Sequence, residues 1–247
     1  VEPQSPSALS GQPDELAAYK RLTRAGYVDG AIVIETIATH DGLALLERLG
    51  YPWVTLGYAE AQHHGARIVH ADDYGGARQA MMHLLSLGHR RIGIIDGTDQ
   101  APTAFRKRII GCRQAMADHG LTLDPDLIVE GDLTPESGYQ ATTKLMALDP
   151  RPTAIFALND RMATGVLRYL IEHDIPMPQR ISVIGFDDIP TAEIASLTTV
   201  RQPALEMGHQ AARLLFDLME ERTLPNQPIV LPTELIVRGS TGPVAET

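Results

Sequence analysis

Three apolar runs in this chain end in side chains that both donate and accept hydrogen bonds. Ala154-Ile155-Phe156-Ala157-Leu158 leads into Asn159-Asp160. Ile181-Ser182-Val183-Ile184-Gly185-Phe186 leads into Asp187-Asp188. Thr198-Thr199-Val200 leads into Arg201-Gln202-Pro203. Each run reads as a buried parallel strand, and ligands of open α/β sheets bind beyond the carboxyl ends of such strands. The three ends offer amides and carboxylates, but no nucleophile–base pair and no metal-ligand cluster. That chemistry suits gripping a small polar molecule better than transforming it.

Enzymatic readings find little support. Asp187-Asp188 invites comparison with a glycosidase pair, but adjacent strand residues point to opposite faces. The nine histidines show no metal-binding spacing, and His63-His64 reads as a solvated loop pair. No Gly-x-Ser-x-Gly elbow, phosphate loop or dinucleotide fingerprint is present. Cys112 follows a glycine in a helical pattern and reads as a small core residue. No enzyme activity, cofactor or metal is implied.

The elements that would position these groups alternate strand and helix, the mark of βαβ units around parallel sheets. Pro13-Asp14-Glu15 opens a helix that ends near Gly26. Strands follow at Gly30 to Glu35, Pro52 to Gly57 and Arg67 to His70, the last ending at Asp72-Asp73. Asp41 reads as the cap of a helix closed by Gly50. Ala77, Ala80, Met81, Leu84 and Leu85 share one helix face that stops at Gly88. Further strands run from Arg91 to Asp96 and from Asp126 to Glu130, with a helix through Met116 between them. Thr134-Pro135-Glu136 starts a helix to about Ala147, and Pro203 a long one through Met219. Short strands near Ile229 and at Leu235 to Val237 finish the fold, and Ser240 to Thr247 reads as a frayed tail. No internal repeat of about 20–50 residues is visible.

The 247 residues allow one large or two modest α/β domains, with ordinary shares of hydrophobic (44%) and charged (21%) residues. A single cysteine precludes an internal disulfide and fits a reducing, cytoplasmic setting. No run approaches the roughly 18–20 apolar residues of a membrane span, and no signal peptide opens the sequence. The formal net charge of −10 opposes binding to a phosphate backbone. The basic segments His89-Arg90-Arg91 and Arg106-Lys107-Arg108 are too short to offset it.

In order and spacing the chain resembles the effector-binding core of the lactose-repressor/galactose-repressor (LacI/GalR) transcription regulators. The resemblance rests on Val28-Asp29-Gly30, Leu87-Gly88-His89-Arg90-Arg91-Ile92, Arg108 three residues before Gly111, and Glu136-Ser137-Gly138-Tyr139. It continues through Arg151-Pro152-Thr153 with the Asn159-Asp160 strand, the Asp187-Asp188 strand, Leu197 to Pro203, and Leu231-Pro232-Thr233-Glu234-Leu235. It implies two Rossmann-like lobes, of the periplasmic-binding-protein type, joined by three crossovers with a ligand between them. The crossovers would fall near Gly88-His89, Val200 to Gln202 and Leu231-Pro232. Residues 1–88 plus 203–231 would form the N-terminal lobe, and 89–202 plus 232–247 the C-terminal lobe. Two departures stand out. The family's helix-turn-helix headpiece and hinge helix are absent from these residues, and so is its first strand–helix–strand unit. DNA would be read only through a headpiece outside this chain.

The resemblance also implies a site. Arg108, Asn159, Asp187 and Gln202 match ligand-contacting positions of the family, and Asp72 would face them from the N-terminal lobe. Each has a plainer reading. Asn159 and Asp160 could cap a helix, and Asp72-Asp73 could be an ordinary turn. Arg108 could be a surface arginine and Gln202 a strand-end residue bonded to backbone. For Asp160 and Asp188 a cap or turn is the better reading, and for Phe186 and Leu133 a core position. Aromatics make up only 5% of residues, leaving Trp53, Tyr58, Phe105 and Phe186 as stacking platforms. The implied function is a sensor whose small polar effector, a sugar by family expectation, controls operator binding by lobe closure in a homodimer. The Ala77 to Leu85 helix is one dimer-contact candidate. A transporter's solute-binding protein would share these features, and a sugar hydrolase would require turnover.

Overall fold

Short buried strands separated by amphipathic helices pair in parallel, because a helical crossover returns the chain to the same end of the sheet. A computed structural model describes residues 20–21, 28–34, 40–58, 67–98 and 101–244. The helix expected from Pro13 and the His63-His64 loop lie outside these residues.

In chain order the elements are β1 (Ala31–Ile34), α1 (His40–Arg48), β2 (Trp53–Leu56), β3 (Ile68–Ala71), α2 (Asp73–Ser86), β4 (Ile92–Asp96) and α3 (Thr103–Asp118). A 3₁₀ turn (Pro125–Leu127), β5 (Ile128–Glu130), α4 (Pro135–Met146), β6 (Ala154–Ala157), α5 (Asp160–Glu172), β7 (Ser182–Asp187) and α6 (Pro190–Ile194) follow. The chain continues with β8 (Thr198–Arg201), α7 (Ala204–Met219), β9 (Ile229–Leu231) and β10 (Glu234–Ile236).

The chain divides into two compact units, Val1–Ala71 with Pro203–Leu231, and Asp72–Gln202 with Pro232–Thr247. The first holds a parallel sheet in the order β1-β2-β3-β9. Its α7 packs Met207, Ala211 and Leu214 onto Val54, Val69 and Ala71. Trp53 is fully buried beside Val33 and Leu46, so it is a core residue and not a stacking platform.

The second unit holds six strands in the order β10-β8-β7-β6-β4-β5, parallel except for β10. Ile94 stands opposite Phe156, and Phe156 opposite Ile184, across the middle of the sheet. These strands are buried on both faces, as parallel strands covered by helices must be. The fold is thus the mixed α/β, parallel-sheet architecture expected.

Several boundaries differ from the sequence reading. The first passage between units comes at Ala71–Asp72, not at Gly88-His89. The cause is α2, which sends Ala77, Ala80, Met81, Leu84 and Leu85 into the core of the second unit. That face of the helix is therefore core. The expected strand from Asp126 is a 3₁₀ turn before β5, because the Asp124 side chain accepts from the Asp126 N–H and Pro125 sits in the first turn. Helix α1 already includes His40, so Asp41 lies inside it.

The tail is pinned as far as Val244. The Ser240 hydroxyl donates to the Val183 carbonyl and accepts from the Thr198 N–H. Buried His89 reaches the Gly242 carbonyl and the Ser182 hydroxyl through Nε2, at 3.0 Å each. Burial lowers the His89 pKa, in keeping with a neutral imidazole there. These long-range contacts have no local sequence signature. Among the described residues no helix is long and apolar enough to cross a membrane.

Candidate ligand-binding site

The carboxyl ends of β6, β7 and β8 lie side by side in the second unit. Asn159 follows β6 in extended backbone and caps α5, its Oδ1 accepting from the Met162 N–H at 2.7 Å. The capping role is real, yet it engages only the oxygen. An amide carries two further donors on Nδ2, and among the described residues no protein group takes them.

At the end of β7 the backbone enters the left-handed region twice in succession, with φ of 117° at Asp187 and 57° at Asp188. Side chains beyond glycine rarely adopt such angles. The two carboxylates go to different partners. Asp188 accepts from Arg201 Nε and Arg238 Nη2, both at 2.7 Å. Burial pushes its pKa up, but the hydrogen bonds and charges of Arg238 and Arg201 outweigh that and hold it below the usual carboxylate range. Asp187 instead accepts from Gln202 Nε2 at 2.6 Å and stands 3.4 Å from Arg108 Nη1. The register explains the Gln202 contact: Asp187 pairs with Arg201, so the next residue reaches its side chain.

Arg108 is the centre of the cluster. It lies on α3 with 4% of its surface exposed. Its Nε donates to Asp73 Oδ1 at 2.7 Å, and its Nη1 to the Leu158 carbonyl at 2.5 Å. The guanidinium carbon lies 3.7 Å from the centroid of Phe186 and 5.0 Å from that of Phe105, so aromatic faces and a carboxylate replace water around the charge.

Two glycines let α2 come close enough to supply Asp73. A Cβ at Gly76 would lie 2.5 Å from Thr233 Oγ1 and 2.8 Å from Val200, and one at Gly111 only 2.4 Å from the Tyr74 carbonyl.

The Asp187 pKa is raised, since burial outweighs the opposing pull of Arg108 and Gln202. After the contacts among the described residues are made, four groups remain open: Nη2 of Arg108, Nδ2 of Asn159, Oδ2 of Asp187 and Oε1 of Gln202. Two are donors and two are acceptors.

Arg108, Asp187 and Gln202 thus form one bonded cluster, with Asn159 directly beyond the Leu158 carbonyl that holds Arg108. Asp72 stands apart from it. One Asp72 oxygen accepts from the Gly75 N–H as the cap of α2, and its carbonyl accepts from Thr233. The neighbouring Asp73, read from sequence only as part of a turn, is the carboxylate that reaches the cluster. A buried arginine demands a carboxylate, but sequence alone did not show that Arg108 was buried.

The model of the periplasmic binding protein-like domain family matches residues 81–241. The HTH-type transcriptional regulator DegA of Bacillus subtilis (strain 168) is 36% identical over 236 residues, covering 94% of this chain and 69% of that protein. A LacI-family regulatory protein from Chloroflexus aggregans superposes with a TM-score of 0.84 at 31% identity, over 95% of this chain and 84% of that one. This chain belongs to the LacI family. A LacI-family regulator from Enterococcus faecium with bound ribose superposes with a TM-score of 0.81 at 33% identity, over 93% and 85% of the two chains. The LacI-family relatives are transcription regulators, not enzymes. The chain spans about two thirds of the length of DegA.

Proposed function

We propose that this chain is the effector-sensing core of a LacI-family regulator and that its effector is a sugar or similar polyol. The observation that carries the reading is the set of four open groups around Arg108. A polyol hydroxyl is both donor and acceptor, so a set of two donors and two acceptors can meet it without leaving a buried polar atom unpaired. Arg108 and Asp187 would grip neighbouring hydroxyls, while Asn159 and Gln202 would fix their order. Asp72, as the cap of α2, would act on the site through the placement of Asp73.

Effector binding here would bias operator binding by a DNA-reading headpiece joined to this core in a homodimer. Coupling of this kind is typically about 1–3 kcal/mol and acts equally in both directions. The ribose complex of the Enterococcus faecium relative supports a carbohydrate over other classes.

A thermal-shift panel of pentoses, hexoses, disaccharides and nucleobases tests the assignment. A specific sugar is expected to raise Tm in a concentration-dependent way. Stabilisation by a nucleobase and by no sugar would overturn the ligand class. Conversion of a bound sugar into product would overturn the sensor role.

A further inference from the structure

Asp160 reads from sequence as a helix-capping residue, but Asn159 already fills that place. Asp160 is 1% exposed, and its carboxylate turns toward the other two site strands. Oδ1 accepts from the Thr199 hydroxyl of β8 at 2.6 Å. Oδ2 accepts from the Ile189 N–H at 3.0 Å, directly after the two left-handed residues Asp187 and Asp188. A Cβ at Gly185 would sit 2.1 Å from Oδ1, so glycine there is what lets β7 pass this close.

The left-handed turn needs an anchor on each side, because its backbone is disfavoured for aspartate. The β7 ladder supplies one anchor and Ile189 the other. Thr199 lies on β8 three residues before Gln202, which directly follows that strand. One carboxylate therefore joins the start of α5, which carries Asn159, to the segments that carry Asp187 and Gln202.

We propose that Asp160 is the positioning residue of the ligand site, holding Asn159, Asp187 and Gln202 in mutual register. What the site binds rests on the reading above; the coupling itself does not. Protonation would change this brace at Thr199. A carboxylate accepts with both oxygens, whereas an acid protonated on Oδ1 donates there to the Thr199 hydroxyl, which reverses its role, while Oδ2 goes on accepting from the Ile189 N–H. The charged groups around the carboxylate are Asp187 on β7, Asp188 with its partners Arg201 and Arg238, and Arg108 beyond Asp187. Burial is the main influence on Asp160; with help from Asp187 and against Thr199 it pushes the carboxyl up to about 7. The brace would therefore respond to pH near neutrality.

The test is ligand-free NMR of the chain across pH 5 to 9. The Asp160 carboxyl carbon, the Ile189 amide and the Gln202 side-chain amide are expected to titrate with one midpoint. In Asp160→Asn the Ile189 and Gln202 signals should lose that titration, and the Ile189 amide should exchange at least tenfold faster. The Ile94 and Phe156 amides should stay unchanged. Persistence of the titration in Asp160→Asn, or equal disturbance of Ile94 and Phe156, would overturn the proposal. Should Asp160→Asn not fold, Thr199→Val carries the same decision. It should move the Asp160 midpoint upward and shift Gln202 but not Ile94, and an unmoved midpoint would overturn it. D-ribose binding to wild type and Asp187→Asn tests the ligand reading separately.

Discussion

Arg108 Nε meets Asp73 Oδ1 at 2.7 Å with both side chains almost wholly buried, at 5% and 3% exposure. The same guanidinium is 3.4 Å from Asp187. The ion pair with Asp73 is thus buried, while the looser contact faces Asp187, whose side chain is 26% exposed. Removing Asp73 should strand a buried charge. Asp73→Ala is expected to cost about 3–5 kcal/mol in urea denaturation. Replacing the pair with Arg108→Met and Asp73→Leu should recover most of that loss, because apolar residues of similar volume often substitute for a buried ion pair. The double variant should still fail to bind effector.

Asp187→Asn should leave the far-ultraviolet circular dichroism unchanged and weaken the effector. The loss of a charge-assisted hydrogen bond is worth about 1.5–3 kcal/mol, or roughly ten- to a hundredfold in Kd by calorimetry. Arg108→Lys should be as damaging, since a lysine cannot serve Asp73, Leu158 and a ligand from one planar fork.

The raised pKa of Asp160 fixes the sign of one pH effect. In the unfolded chain this carboxyl loses its proton near the ordinary value of 3.8, and in the fold only near 7. The folded state holds the extra proton between those values. Its contribution to stability is therefore full below the lower value and is lost as pH rises through the upper one. Subtracting the unfolding free energy of Asp160→Asn from that of wild type at each pH should give a difference that falls from pH 4 to pH 8. A flat difference would contradict the burial seen for this group.

Helices α4 and α5 pack through glycine. A Cβ at Gly165 would lie 1.9 Å from the Pro135 carbonyl and 2.6 Å from the Tyr139 nitrogen, both backbone atoms that cannot swing aside. Gly165→Ala should cost about 1–3 kcal/mol net by forcing the helices apart, where alanine normally stabilises a helix interior by about 0.8–1 kcal/mol over glycine. Differential scanning calorimetry would register it as a lower Tm.

Much of the candidate site was legible because strand ends announce themselves. The runs into Asn159, Asp187 and Gln202 were marked by the rule that parallel sheets bind at their carboxyl ends, and the structure brings Asp187 to Arg108, Gln202 to Asp187, and Asn159 directly after the Leu158 carbonyl that Arg108 holds. The alternation of strand and helix likewise marks a parallel α/β fold, since apolar periodicity is local and survives in one dimension. The pinned tail was not legible, because Ser240 and Gly242 find their partners at Val183, Thr198 and His89.

By itself the sequence determined the elements, their order and the polar residues that end them, for these depend on neighbours a few positions apart. Only the tertiary structure decided that Asp73, not Asp72, neutralises Arg108, that α2 belongs with the second unit, and that Asp160 faces inward. Those outcomes depend on which groups lose water together and on how closely two glycines let a helix approach. Burial and close approach are properties of the packed molecule, not of any stretch of chain.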